Sequence, residues 1–167
     1  FYFFIGLVMT NIFLGTTAIK EFWDLDHPNL LLAGEWCKIY GDSRSKDLKP
    51  FPFLWENSKD VHKAQIFCEA IYNKVLPKIS KELNKTLGKE KEVQYYRIIL
   101  GNWLIHFIHQ AYDKYRIIQE ISKMGSINTF ILDPEEHYFP FDFLDYNHKT
   151  ETDIYQLQLF SEIVKYM

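Results

Sequence analysis

Two short apolar runs constrain this chain more than any other feature. Asn11-Ile12-Phe13-Leu14 stops at Gly15-Thr16-Thr17, and Leu30-Leu31-Leu32-Ala33 stops at Gly34-Glu35-Trp36-Cys37. A short continuous apolar run bounded by turn residues suits a strand buried on both faces, as parallel sheets require. Proteins built that way take ligands just beyond the carboxyl ends of their strands. The two turns are therefore the first candidates for a site. Gly15 permits a tight turn, and Thr16 or Thr17 can cap a short helix through Ala18–Trp23.

The rest of the chain reads as helices with one more strand. Leu48–Phe53 carries two prolines and is expected at an edge. Ser58 is the expected N-cap of a long helix to about Leu87, with Ile66, Ala70, Val75, Ile79 and Leu83 on its buried side. Pro77 is expected to kink or divide it, and Gly88 to stop it. A second long helix is expected from about Lys91 to Lys123, ended by Gly125. Ile127–Leu132 reads as a strand, Glu135–His148 as a loop, and Thr152–Tyr166 as a last helix. The expected fold is α/β: a small parallel sheet, a Rossmann-like half, with two long helices.

Aromatic residues make up 17% of the chain and apolar residues 47%, enough for a packed core. The net charge is −3, and the lysines between Lys74 and Lys91 alternate with glutamates. That is a solvated helical face, and it argues against nucleic acid as a partner. Cys37 and Cys68 form no metal or redox motif, which fits reduced thiols and a cytoplasmic setting. Phe1–Ile19 carries no charge, but Thr10, Asn11, Gly15, Thr16 and Thr17 dilute it. No basic segment precedes it, so an integral membrane span is disfavoured. Residues 1–8 are read as an upstream or non-native extension before Met9, residues 9–140 as an amino-terminal α/β domain, and 141–167 as a loop and helix leading into a missing remainder.

The sharpest polar pattern lies on the second long helix. Leu100, Leu104, Phe107, Ala111, Tyr115 and Ile118 share one face; Asn102, His106, His109, Asp113 and Arg116 share the opposite one. Three readings fit: the wet side of an amphipathic helix, a metal site using His106, His109 and Asp113, or a polar docking surface. No Gly-x-Ser-x-Gly, Walker loop or dinucleotide fingerprint occurs. Glu21, Asp24, Glu35 and Asp133 are carboxylates near expected strand ends, where a base could activate an acceptor hydroxyl. Trp23 and Trp36 could stack on a sugar or pack in the core.

Three blocks carry a family resemblance. They are Thr16-Thr17-Ala18-Ile19-Lys20-Glu21-Phe22-Trp23-Asp24, Leu32-Ala33-Gly34-Glu35-Trp36-Cys37, and Tyr95-Tyr96-Arg97-Ile98-Ile99-Leu100-Gly101-Asn102-Trp103-Leu104, with Tyr112-Asp113-Lys114-Tyr115 following in place. In this order they resemble a transferase family of bacterial surface-polysaccharide (O-antigen type) loci, similar to glycosyltransferases with two Rossmann-like halves around a cleft. Asn102 departs from the pattern, where proline is expected, so no kink is implied there. The resemblance covers about Thr10–Tyr115 well and the remainder loosely.

The resemblance implies that this chain is the amino-terminal, acceptor-side half of a longer protein, with the carboxyl-terminal half missing. It implies a glycosyl or related group transfer in cell-surface polysaccharide assembly, in a cytoplasmic protein peripheral to the inner membrane. Its partners would be a sugar acceptor or a nucleotide-sugar, with the nucleotide-sugar donor bound by the full-length protein and no cofactor or metal within this segment. Glu35 is the expected base; Gly15, Thr16, Thr17 and Trp36 are the expected substrate-binding residues. The rival expectation is a non-catalytic α/β module that docks a partner through the polar seam.

Overall fold

A computed structural model describes residues 11–40 and 47–167. The readings made for residues 1–10 lie outside the described residues. The chain divides into two compact units: residues 1–53 with 114–167, and residues 54–113.

The first unit holds the sheet. Strands β1 (Asn11–Gly15), β2 (Leu30–Leu32) and β3 (Ser126–Thr129) lie in the order β2-β1-β3, all parallel. Phe13 pairs with Leu30 and Gly15 with Leu32; Asn11 pairs with Ser126 and Leu14 with Thr129. The α/β expectation therefore holds. Ile12, Leu14 and Leu32 are completely buried, as the continuous apolar runs require. Each such side chain contributes about 1.5–3 kcal/mol by leaving water. The chain leaves β1 toward β2 on one side and returns later as β3 on the other. That reversal is a topological switch point, the place where α/β sheets open a crevice at their carboxyl ends.

Several local expectations change. The helix expected over Ala18–Trp23 is a single 3-10 turn, Lys20–Phe22, and Thr17 accepts from the Ile19 N–H. The edge strand at Leu48–Phe53 reduces to one bridge between Leu32 and Pro50, because prolines cannot donate to a ladder. The strand expected to reach Leu132 ends at Thr129. The Glu135–His148 loop contains helix α3 (Phe143–Thr150), capped by the Asp142 carboxylate on the Asp145 N–H. Helix α4 (Asp153–Lys165) follows, capped by Thr152, with Leu157 and Phe160 fully buried.

The second unit is helical. Helix α1 (Ser58–Leu87) is capped by Asn57, whose side chain accepts from the Lys59 N–H; the expected cap, Ser58, is already helical. Pro77 does not divide α1: the helix runs through it, with Pro77 on the exposed side. There the carbonyl that loses its partner can meet water. Gly88 ends α1 in the left-handed conformation at φ 59°, as expected. The buried stripe of α1 is Cys68, Tyr72, Leu76 and Ser80; Ile66 and Ala70 are exposed, while Val75, Ile79 and Leu83 flank the core. Helix α2 (Val93–Ser122) adds Tyr96, Leu104 and Ile108 to that core. Asn84 ties the turn: its side chain donates to the Lys91 carbonyl and accepts from the Lys91 N–H and the Tyr96 hydroxyl. No helix of the described residues is long and apolar enough to cross a membrane.

Candidate active site at the carboxyl rim of the sheet

The parallel pairing of β1 and β2 sends Gly15-Thr16-Thr17 and Gly34-Glu35-Trp36-Cys37 off the same edge. Both turns are held there by donors aimed at three successive carbonyls. The Gly15 carbonyl accepts from the Ala33 N–H at 2.8 Å and from the Cys37 thiol at 3.4 Å. The Thr16 carbonyl accepts from Trp36 Nε1 at 3.2 Å, and the Thr17 carbonyl from Trp23 Nε1 at 2.8 Å. Sequence leaves both tryptophans open between stacking and packing. Each donates its indole N–H to this turn, Trp23 from a buried position and Trp36 from a half-buried one. Gly15 and Gly34 both serve close approach. A Cβ on Gly15 would stand 3.0 Å from Leu32 and 3.2 Å from Trp23, and one on Gly34 would run into the Trp36 ring.

The rim brings together all five residues singled out from sequence. Gly15, Thr16 and Thr17 are buried, Trp36 is half-buried, and Glu35 is exposed at the start of a 3-10 turn, Glu35–Lys38. Thr16 Oγ1 is buried without a hydrogen-bond partner among the described residues. Of the other carboxylates considered, Glu21 and Asp24 are exposed, and Asp133 caps the Pro134–Glu136 turn through the Glu135 N–H.

Two charged residues at the rim were not singled out from sequence. Asp153, in the first turn of α4, accepts from Thr17 Oγ1 at 2.8 Å and from the Ala18 N–H at 2.7 Å. These are charge-assisted bonds across 136 residues of chain, reinforced by the favourable end of the α4 dipole. Lys114 is 8% exposed, with its ammonium 4.8 Å from the Trp36 ring centroid and 5.7 Å from that of Phe160. A cation over aromatic faces in a desolvated setting is stabilised by their quadrupoles. The only local hint of Asp153 was an acid at a helix start. Lys114 sat inside a helical pattern beside Tyr115, which was placed on the buried face; Tyr115 is exposed and Lys114 buried.

Cys37 is no nucleophile in this setting. Burial pushes its thiol up to about 12, against the lowering effect of the Gly34 and Ala33 N–H groups. Asp153 raises it and Lys114 lowers it by smaller amounts. At neutral pH the sulfur is a protonated donor to the Gly15 carbonyl.

On the polar seam of α2, Asn102, His106 and His109 are exposed, Asp113 accepts from Trp55 Nε1 at 2.6 Å, and Arg116 pairs with Glu120 at 3.0 Å. Among the described residues no group of three or more His, Cys, Asp or Glu side chains is arranged to hold a metal ion. The His106, His109 and Asp113 reading is corrected accordingly.

No curated protein and no solved structure matches the chain. A family model, that of the LIC12162 family transferases, matches residues 12–167, and the chain belongs to this family of transferases.

Proposed function

We propose that this chain supplies the acceptor side of a glycosyl- or related group transferase of cell-surface polysaccharide assembly, with its site at the carboxyl rim of β1 and β2. The acceptor hydroxyl oxygen forms a bond to the activated carbon of a nucleotide-sugar donor. The bond from that carbon to the leaving phosphate oxygen breaks, and the phosphate departs with the electron pair. Glu35 takes the hydroxyl proton. Gly15, Thr16 and Thr17 present the turn against which the acceptor lies, and Trp36 offers a ring edge beside it.

The observation that supports this reading is the clamped turn. Trp36 Nε1 on the Thr16 carbonyl ties the segment after β2 to the segment after β1, leaving Glu35 exposed next to both. A rigid rim with one exposed carboxylate suits general-base work, because the base must reach a substrate proton without moving the scaffold. Glu35→Gln in the active full-length enzyme is expected to lower kcat by about 10²–10⁴, the range for a lost general base. The far-UV spectrum and unfolding midpoint should stay unchanged. An unaltered kcat would remove Glu35 from the chemistry.

A further inference from the structure

The helical unit carries its own groove, of about 490 Å³, between α1 and α2. That volume lies inside the range of about 300–1,000 Å³ found for small-molecule sites. Gly101 lines the groove and makes room for the Tyr72 hydroxyl: a Cβ there would stand 2.6 Å from that oxygen. Tyr72 is only 9% exposed, and its hydroxyl has no hydrogen-bond partner among the described residues. A buried ring with an unsatisfied hydroxyl at a cavity wall is a donor waiting for an acceptor.

Arg97 lies over the same ring, its guanidinium carbon 5.5 Å from the Tyr72 centroid. No carboxylate pairs with it among the described residues, although Glu69 lines the same groove. One unpaired cation and one unpaired carboxylate thus share a small space without neutralising each other. Gln65 and Asn102 add two amides, which both donate and accept, His109 adds an imidazole, and Ile105 adds an apolar contact.

This set of groups discriminates among ligands. A doubly charged phosphate would find one permanent cation, Arg97, and be repelled by Glu69. A neutral sugar would leave the five guanidinium donors unused. A carboxylate fits one guanidinium fork in bidentate geometry. Hydroxyls on the same molecule can donate to Glu69 and accept from the Tyr72 hydroxyl and the two amides.

We propose that this groove binds an acidic sugar, a polyhydroxylated monocarboxylate of the uronic-acid type. The site uses none of the rim residues and does not depend on the reaction proposed for them.

Calorimetric titration of the full chain with D-glucuronate, D-glucose and inorganic phosphate tests this. Glucuronate is expected to bind saturably, at least about tenfold more tightly than glucose or phosphate, as the loss of a charge-assisted pair would predict. Arg97→Met is expected to weaken glucuronate by about tenfold or more, and Tyr72→Phe by about three- to tenfold, the share of a neutral hydrogen bond. Arg97 is exposed, and Tyr72→Phe keeps the packed ring, so both variants should retain the wild-type circular dichroism. Three results would overturn the assignment: no saturable glucuronate binding, equal binding of glucose or phosphate, or full affinity in Arg97→Met.

Discussion

The rim of the sheet unit and the groove of the helical unit treat their polar groups in opposite ways. At the rim, three consecutive carbonyls and the Thr17 hydroxyl are all engaged by protein donors or acceptors. In the groove, Arg97, Glu69 and the Tyr72 hydroxyl face open space with no hydrogen bond or ion pair to the described residues. Groups already paired within the protein stabilise the fold and hold geometry. Unpaired groups contribute little to stability and are available to a ligand. Substitutions that break the paired groups of the rim should therefore lower stability, while substitutions of exposed groove residues should change binding alone.

Asp153→Ala gives the sharpest contrast. It strips the Thr17 hydroxyl and the Ala18 N–H of their shared acceptor. Thr17 is completely buried, so its hydroxyl proton is left without an acceptor. The expected loss is about 2–4 kcal/mol by denaturant unfolding, the scale of two hydrogen bonds to a charged group with a buried orphan left behind. Arg97→Met should stay within about 0.5 kcal/mol of wild type in the same assay, as exposed substitutions do. Equal losses at the two positions would erase the distinction.

Gly34→Ala comes next. The backbone there is extended and suits any residue, so the effect is purely steric: the new methyl meets the Trp36 ring. An overpacking cost of about 1–3 kcal/mol is expected. The tryptophan emission should shift as the indole leaves the Thr16 carbonyl, and an unchanged spectrum would mean the ring is not seated there.

The buried thiol gives a pH signature. Its ordinary value is 9.0, and burial raises it to about 12 in the folded chain. Above pH 9 the unfolded chain gives up this proton while the folded chain keeps it. Stability present below pH 9 is therefore lost progressively as pH rises toward 12. By pH 10 wild type should have lost about 1 kcal/mol more than Cys37→Ala, from one pH unit of differential protonation. Parallel pH profiles for the two proteins would place the thiol in contact with water.

The smallest effect is expected at Thr16, the one rim hydroxyl that resembles the groove. Its Oγ1 is buried without a partner among the described residues. Thr16→Val keeps the shape and removes the orphan, so stability should hold or rise by up to about 1 kcal/mol. A clear loss would reveal a partner for that oxygen and return Thr16 to the paired class.

Much of the fold could be read locally. Continuous apolar runs marked β1 and β2, and Gly88 marked the end of α1, because strand burial and left-handed caps depend on a few adjacent residues. Helix α3 was missed under its aromatic and proline-bearing flank, although Asp142, three residues before Asp145, is a local capping signal. On α1 the expected side holds for Val75, Ile79 and Leu83, which flank the core, and fails for Ile66 and Ala70; the buried stripe is Cys68, Tyr72, Leu76 and Ser80.

Within the candidate site, Gly15, Thr16, Thr17, Glu35 and Trp36 were visible because strand ends announce themselves in apolar patterning. Sequence by itself determined that the chain has buried parallel-type strands ending in glycine turns, and two long helices separated by a glycine stop. Only the tertiary structure decided that Asp153 meets Thr17, that Lys114 lies over Trp36, and that the Tyr72 hydroxyl packs against Gly101. The physical reason is range. Burial patterns and caps act over a few residues, whereas an ion, a ring and a hydroxyl distant in sequence find each other only after the backbone has packed.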